Sequence, residues 1–252
     1  MSTSRRSFLK FGLIAVLGIL SSVFYREGRK ETRPSAIMAS ATKRWGMLID
    51  LGRCDGCGAC TKACYMAHFV PEGQEWIKIY KLKDNPDLPE YFFVRPCMHC
   101  EKPPCVKVCP VKATYRRADG ITLIDNTRCI GCRMCMAACP YGARYFTWQD
   151  PPPLPHEVQA QGYSPEWGYP HKKGTVGKCV FCYHLSKIGQ LPPCVVGCPK
   201  GAIFFGDLNE DAVSNGRELL RFSETITKES AYRYREELGT HPRVYYLPPR
   251  KK

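Results

Sequence analysis

The sixteen cysteines of this 252-residue chain fall into four groups of four, and none is left over. Thiolates at such short intervals can converge on one centre, because the thiolate is a strong ligand for zinc and for iron–sulfur clusters. The groups are Cys54, Cys57, Cys60 and Cys64; Cys97, Cys100, Cys105 and Cys109; Cys129, Cys132, Cys135 and Cys139; and Cys179, Cys182, Cys194 and Cys198.

The spacing within the first and third groups is that of bacterial two-cluster ferredoxins. Three cysteines at two-residue intervals wrap around one [4Fe–4S] cube, and the fourth, three residues later, reaches the neighbouring cube. The second group widens one interval to four residues. Three groups end in Cys-Pro, as the ferredoxin run does, whereas the first ends in Cys64-Tyr65. Sixteen thiolates therefore predict four [4Fe–4S] clusters.

Two other chemistries of cysteine fit the spacing less well. Disulfide frameworks serve short secreted chains that cannot bury a core, and a chain of this length can. A structural zinc ion commonly takes two Cys-x2-Cys pairs separated by a long spacer. Three cysteines at two-residue intervals are too many for one tetrahedral ion. Iron–sulfur clusters are therefore the favoured interpretation.

Because the fourth cysteine of a group reaches the neighbouring cube, each cluster is predicted to take three thiolates from one group and one from another. The predicted ligand sets are site 1 (Cys54, Cys57, Cys60 and Cys198), site 2 (Cys179, Cys182, Cys194 and Cys64), site 3 (Cys97, Cys100, Cys105 and Cys139) and site 4 (Cys129, Cys132, Cys135 and Cys109). All thiolates are then committed, so no iron position stays open for a substrate. No catalytic residue is predicted.

Short strands and helices are predicted around these groups. Asp119-Gly120 is a hairpin turn between two strand-like halves of residues 114–125, and a cysteine loop, a hairpin and a second cysteine loop make a two-cluster ferredoxin. Further strands are predicted at residues 45–50, 145–148, 202–205 and 243–247, helices at 60–67 and 135–139, and a helical stretch within 211–236.

The predicted fold class is α+β, with two interleaved 2[4Fe–4S] ferredoxin-like modules that carry loop insertions. Residues 92–148 hold the second and third groups and form an inner ferredoxin-like module. The first and fourth groups are far apart in sequence and must build an outer module from residues 42–91 and 149–252. Residues 1–41 are a separate signal segment.

The N-terminus has the pattern of a twin-arginine export signal, Ser-Arg-Arg-Ser-Phe-Leu-Lys, around Arg5 and Arg6. An apolar stretch from Phe11 to Tyr25 follows, of signal length and short for a membrane span. This pathway exports folded proteins, which suits a protein that receives cofactors before export. The predicted location is the periplasm or the outer face of the cytoplasmic membrane. Cleavage before Thr42 and a retained N-terminal anchor both remain open.

A formal net charge of +14 invites a nucleic-acid hypothesis. Residues 1–41 account for +5 of it, with seven Lys and Arg against two Glu, which leaves +9. Four oxidised cubes with their thiolates contribute about −8, so the loaded mature protein is nearly neutral. No Gly-rich nucleotide-binding loop is present. Nucleic acid is therefore not a predicted partner.

Two further features have modest predicted roles. His99 and His184 lie beside cysteines and could donate hydrogen bonds near a cluster, but ordinary surface histidines are favoured, because nothing nearby completes a catalytic set. Residues 150–177 begin with a proline run and carry Tyr163, Trp167 and Tyr169. They are interpreted either as a loop that exposes aromatics to a partner or as a plain ordered insertion.

With these motifs, residues 43–252 resemble the four-cluster ferredoxin-like subunits of the molybdopterin oxidoreductases. That family includes the small subunits of dimethyl sulfoxide, tetrathionate, polysulfide and thiosulfate reductases. The resemblance rests on the cysteine groups and on residues 46–50, 206–209 and 242–247. One variant of the family lacks a cysteine of the second group and holds a three-iron cluster. Here that group is complete, so four cubes are expected.

The resemblance implies a non-catalytic electron relay. Its expected partners are a membrane quinol-oxidising anchor subunit and a molybdopterin catalytic subunit. Similar exported iron–sulfur subunits serve a quinol-dependent nitrite reduction pathway and a membrane redox complex of sulfate reducers, and these are the alternative assignments. The competing hypothesis from a different functional class is an enzyme, a small reductase that works at an exposed cluster. Membrane association would come from a partner or from the retained signal.

Overall fold

The structure is a computed structural model that describes residues 43–83 and 89–249, within a unit formed by residues 42–252. Strands and short helices are mixed along this part of the chain, as expected for the α+β class. The strands described are β1 (Trp45–Asp50), β2 (Lys78–Leu82), β3 (Tyr91–Arg95), β4 (Thr114–Arg116), β5 (Thr122–Ile124), β6 (Tyr145–Phe146), β7 (Val176–Gly177), β8 (Ile203–Asp207), β9 (Ala212–Ser214), β10 (Leu219–Arg221) and β11 (Val244–Leu247).

The helices are short, and several contain cysteines. The helices described are α1 (Ala59–His68), α2 (Pro104–Lys107), α3 (Met134–Ala137), α4 (His156–Gln159), α5 (Tyr183–Ser186), α6 (Pro193–Val196) and α7 (Phe222–Lys228), with a 3-10 turn at Glu236–Leu238. None of them, within residues 43–83 and 89–249, is long and apolar enough to cross a membrane.

A five-stranded sheet joins the beginning of the described chain to its end. Its strand order is β10-β9-β8-β1-β11. Strand β1 pairs antiparallel with β8 and parallel with β11. The sheet therefore brings together the strand before the first cysteine group and the strands that follow the last one.

Strand β1 is buried along its whole length because both of its faces are covered. Met47 and Ile49 belong to the main hydrophobic core, which also contains cysteines of three groups. Leu48 points the other way, into a smaller cluster with Phe204. Since successive strand residues alternate between faces, this apolar run serves two cores at once.

The predicted hairpin is present as β4 and β5, which pair antiparallel. Gly120 in the turn has φ of +81°, a left-handed conformation that glycine adopts without strain. A Cβ atom at this position would also overlap the guanidinium group of Arg243. Arg243 donates a 2.6 Å hydrogen bond to the Asp119 carbonyl and so fastens the turn to the residue before β11.

The other predicted elements were placed with mixed accuracy. The strands at 45–50, 202–205 and 243–247 and both helices within the cysteine groups are present, with small shifts of their ends. The strand at 145–148 was too long, since β6 covers only Tyr145–Phe146. The helical stretch within 211–236 contains α7, but β9 and β10 precede it and were missed. The β2–β3 hairpin was also missed. The twin-arginine pattern and the apolar stretch lie outside the described residues.

Candidate metal centres

All sixteen thiols are free, and the described fold brings them together across the four sequence groups. One enclosed cavity is lined by all four cysteines of site 3, together with the buried side chains of Met98 and Tyr141. A second is lined by all four cysteines of site 4. In each cavity, three thiols come from one sequence group and the fourth comes from the other.

The thiols of site 1 gather where α1 packs against α6. Gly197, after α6, allows this close approach, since a Cβ atom there would lie 2.9 Å from the Cβ atom of Ala63. Burial is the first cause that raises the pKa of Cys54 and of Cys60, and the neighbouring Cys198 thiol raises both further. A cysteine from the fourth group therefore stands beside those of the first group.

Site 2 is the most deeply buried of the four. Burial raises the pKa of Cys64, and the nearby thiols of Cys179 and Cys194 raise it further. The pKa of Cys182 is likewise raised by burial and then by the other three thiols of the site. All four side chains are buried in the main body of the protein.

Interactions between thiols of different sites give their spatial order. Cys60 of site 1 acts electrostatically on Cys64 and on Cys194 of site 2. Cys97 of site 3 acts on Cys179 of site 2. The Arg144 side chain interacts with thiols of both site 3 and site 4. These interactions place site 1 beside site 2, site 2 beside site 3, and site 3 beside site 4.

The electrostatics of the thiols suit a metal-bound thiolate. Burial raises the pKa of Cys60 and of Cys179 to about 11, and that of Cys100 to about 12. Such thiols stay protonated at neutral pH unless a bound metal replaces the proton. Cys109 is the exception: burial raises its pKa, but backbone N–H donors, first among them Thr114, outweigh burial and lower it.

Buried nitrogen donors lie close to these thiols. Lys178 is 2% exposed, and its ammonium donates to the carbonyls of Thr122 and of Cys179, the latter at 2.5 Å. His99 is 1% exposed, its Nδ1 accepts from the Thr122 N–H at 3.2 Å, and its ring stacks on Phe181. The assignment of His99 as an ordinary surface histidine was therefore wrong. His184 is only half-buried, with Nδ1 3.1 Å from the Glu166 carbonyl.

His68 is a candidate site residue that the sequence analysis missed. It is 1% exposed, with Nε2 3.1 Å from the Cys182 Sγ atom and Nδ1 2.8 Å from the Trp167 carbonyl. A signal was available, because His68 lies four residues after Cys64 on α1, and residues at that spacing share a helix face. The spacing places the ring beside site 2.

The aromatics of residues 150–177 mostly point inward, which corrects the idea of an exposed aromatic loop. Tyr169 is buried at 9% exposure and its ring contacts those of His68 and Phe69. The Tyr163 hydroxyl meets the Asn126 N–H at 2.5 Å and the Ile124 carbonyl at 3.3 Å. This segment is an ordered cover over site 2 and the β4–β5 hairpin.

The donor sets fit iron–sulfur cubes. Sites 3 and 4 each offer a cavity with four thiols on its walls, and a cube takes one thiolate on each of its four irons. Among residues 43–83 and 89–249, no three His, Cys, Asp or Glu side chains are close enough together to hold a single metal ion.

Comparison with known proteins agrees with this chemistry. Three family profiles, each described as a 4Fe-4S dicluster domain, match residues 53–113, 89–151 and 128–203. Together they span all four cysteine groups. The prediction of four [4Fe–4S] clusters is confirmed.

Several relatives match over most of their length. A selenate reductase subunit of Mesobacillus selenatarsenatis is 40% identical over 81% of this chain and 72% of its own. The iron-sulfur cluster-binding subunit of menaquinone reductase of Nitratidesulfovibrio vulgaris is 38% identical over 82% of this chain and 90% of its own. A tetrathionate reductase subunit of Salmonella typhimurium is 34% identical over 98% of this chain and 89% of its own.

The chain therefore belongs to the family of iron–sulfur subunits of the molybdopterin oxidoreductases. It is an electron-transfer subunit that carries four [4Fe–4S] clusters and is not itself a catalytic subunit. The predictions of family, cofactor and non-catalytic role are confirmed.

Proposed function

We propose that this subunit relays electrons through its four clusters, in the order of sites 1, 2, 3 and 4, between a membrane quinol-oxidising subunit and a molybdopterin catalytic subunit. The terminal enzyme is of the tetrathionate, polysulfide or thiosulfate reductase type. One observation carries the proposal: the sites follow one another through the protein, and each end of the row has one exposed cysteine, Cys57 at site 1 and Cys132 at site 4. Electrons can enter and leave only where a cluster comes near the surface.

The proposal includes the crossed ligand sets and the module organisation. Sites 3 and 4 belong to an inner ferredoxin-like module of residues 92–148. Sites 1 and 2 belong to an outer module of residues 42–91 and 149–252. The pairing of β1 with β8 and β11 supports this division, because it draws the two halves of the outer module together around the inner one.

Ligand replacement tests the crossed sets. Cys139→Ser removes a thiolate that crosses from the third group to site 3, so the spectrum of the site 3 cluster should change while that of site 4 is retained. The matched variant Cys109→Ser should perturb site 4 and spare site 3. The measurement is electron paramagnetic resonance of anaerobically purified protein, with iron and sulfide assays that give about sixteen of each in the unchanged chain. The reverse pattern would show that each group binds its own cube.

A partner-binding surface is proposed beside Cys132. Ile130 and Trp148 are each 64% exposed and Met134 is 51% exposed. Arg133 lies over the Trp148 ring, 4.8 Å from its centroid. Exposed apolar residues around the last cluster suit a stable contact with a redox partner, since interface cores are rich in such residues.

The surface is tested by co-purification of the complex. Ile130→Ser with Trp148→Ser should release the partner subunit while iron content is unchanged. Leu219→Ser is the matched control, because Leu219 is 72% exposed but lies on β10. Equal partner recovery from both variants would remove this surface from the proposal. The buried Tyr169 is no longer a candidate for a contact residue.

Export through the twin-arginine pathway to the periplasm or the outer face of the membrane is also part of the proposal. Replacement of Arg5 and Arg6 by Lys keeps the charge but should leave folded, iron-loaded protein in the cytoplasm, because the signal is read by a receptor. Cell fractionation gives the distribution, and the mass of the exported chain distinguishes a start at Thr42 from a retained anchor. Unchanged export of the variant would contradict the assignment.

Two alternatives stay within the same chemistry. One is the iron–sulfur subunit of a quinol-dependent nitrite reduction pathway, and the other is that of a membrane complex of sulfate reducers. The match to the menaquinone reductase subunit favours keeping the second. The partner that co-purifies distinguishes them, since a pterin-containing subunit is expected only for the main proposal.

A further inference from the structure

Arg144 lies between the two inner sites and is 4% exposed. Its side chain lines the cavity of the site 3 thiols. It also acts electrostatically on Cys135 of site 4 and on Cys105 and Cys139 of site 3. One buried guanidinium group therefore faces the thiols of two neighbouring clusters.

The protein itself leaves this charge largely unpaired. Nη1 donates a 3.1 Å hydrogen bond to Thr114 Oγ1, whereas Nη2 is buried and has no hydrogen-bond partner. Arg144 forms no ion pair with a carboxylate among residues 43–83 and 89–249. The groups that act electrostatically on Arg144 are cysteines, which become thiolates when they bind iron.

A buried cation without a partner is strongly unfavourable, because it loses hydration and gains nothing in return. An oxidised [4Fe–4S] cube with four thiolates is a dianion, and cubes held by the thiols of sites 3 and 4 would both neighbour Arg144. The guanidinium group cannot lose its proton to escape this cost. Its position is therefore explained by the negative charge of the bound clusters.

We propose that Arg144 is the fixed counter-charge shared by the clusters of sites 3 and 4 and that it raises the reduction potential of both. Each cluster takes up one electron on reduction and passes from a dianion to a trianion. A nearby cation stabilises the trianion more than the dianion and so favours the reduced form. The proposal rests on the ligand sets given under Proposed function. It adds that one residue couples the potentials of two clusters.

The test compares three variants of Arg144 and one surface control in the full chain, each loaded with iron and purified anaerobically. Arg144→Met and Arg144→Gln remove the charge, whereas Arg144→Lys keeps it. Arg221→Met is the surface control, because the Arg221 side chain is 78% exposed. Potentials are read by electron paramagnetic resonance during stepwise reduction with dithionite and mediators. Iron and sulfide content shows separately whether the clusters are present.

The neutral variants should make reduction of both inner clusters less favourable by at least tenfold, which is about 59 mV for one electron. Arg144→Lys should stay within about threefold of the unchanged protein, which is less than half of that shift, and Arg221→Met should not differ from it. Loss of the inner clusters in both neutral variants but not in Arg144→Lys would also support the counter-charge role. Unshifted potentials in an iron-replete neutral variant would overturn the proposal, as would equal effects of Arg144→Lys and Arg144→Met.

A failure of this proposal can be told apart from a failure of the relay function. Missing or misassigned clusters would appear in the iron assay and in the spectra of the unchanged protein. A fault in the Arg144 proposal alone would leave four normal clusters whose potentials do not respond to the charge at position 144.

Discussion

Sites 2 and 3 are adjacent, yet the protein surrounds them differently. At site 3 the neighbouring charged groups are the buried cations Arg144 and Lys178, both of which act on Cys105. At site 2 the polar group in contact with a thiol is the ring of His68, beside Cys182, and burial lowers the His68 pKa to about 4. Site 3 is thus flanked by two fixed positive charges, whereas site 2 shares only Lys178, which also acts on Cys179, and has beside it a histidine whose burial favours the neutral form.

This difference shows two ways of accommodating the same anionic cofactor. A fixed cation compensates charge in every redox state, whereas a buried uncharged environment makes each added electron more costly. The potential of a cluster depends on its net charge, its hydrogen bonds and its exposure. The clusters of sites 3 and 4 should therefore be reduced more easily than the cluster at site 2, and electrons should accumulate at that end of the row.

Removal of the clusters should have the largest effect of the changes considered, because it removes the charge that the buried cations balance. Without iron, the thiols reprotonate and Arg144 and Lys178 lose the charge that balances them, which costs several kcal/mol for each buried cation. Chelation under anaerobic conditions should therefore speed amide hydrogen exchange by more than tenfold in β4 and β5. The sheet around β1 should be affected less. Equal loss of protection in the two regions would mean that the cations do not distinguish them.

A substitution that creates a large cavity beside the five-stranded sheet should lower stability without changing the potentials of sites 3 and 4. Phe204 is fully buried in the smaller hydrophobic cluster, and Phe204→Ala should lower the free energy of unfolding by about 3–5 kcal/mol. The potentials of sites 3 and 4 should not move, since no ligand of theirs contacts this cluster. Denaturation curves and redox titration of one preparation give both values. A shift in the inner potentials would show that the outer sheet controls the inner sites.

Substitution of Lys178 tests the comparison of sites 2 and 3 directly, because Lys178 lies between them. Lys178→Met should remove the donor to two carbonyls and lower the potentials of sites 2 and 3. The effect at site 3 should be smaller than that of Arg144→Met, since Lys178 already has oxygen partners. Lys178→Arg is the control that keeps the charge. Redox titration provides the measurement, and a greater effect at position 178 than at position 144 would reverse the assigned order.

The smallest effect is expected at a contact that joins the inner and outer parts of the chain. The buried Tyr141 hydroxyl and the Thr240 hydroxyl form a hydrogen bond. Tyr141→Phe should lower the free energy of unfolding by about 1 kcal/mol, the usual contribution of one such bond, with all clusters retained. Thr240→Val is the partner variant. The double variant should cost no more than the larger single effect, and full additivity in chemical denaturation would argue against the contact.

Cysteine spacing was enough to propose the ligand sets, because covalent reach limits where four nearby thiols can point. It also predicted the β4–β5 hairpin, since Asp119-Gly120 specifies a tight turn. The burial of the two cations could not be predicted from the sequence in this way. Arg144 and Lys178 look like ordinary basic residues in a basic sequence, and only the packing of separate segments shows that they lie inside. Burial of Tyr169 was missed for the same reason, because its neighbour His68 is a hundred residues earlier.

The missed strands have a different cause. The sequence between β2 and β3 contains no Asp-Gly or Asn-Gly pair like the one that identified the other hairpin, and neither strand carries a cysteine. Strands β9 and β10 are three residues each, which is too short for an alternating pattern to be recognised. Local sequence signals are weak where a strand is defined mainly by its neighbours.

The position of β1 has a consequence for the order in which the protein is made. Its two neighbours, β8 and β11, begin at residues 203 and 244, so β1 leaves the ribosome long before either partner has been synthesised. Until then an apolar strand with both edges unpaired must be kept from aggregating. The thiols of the inner segment are complete much earlier than those of sites 1 and 2. Maturation can therefore begin at the centre of the chain, and the outer sheet can close only after the last residues have emerged.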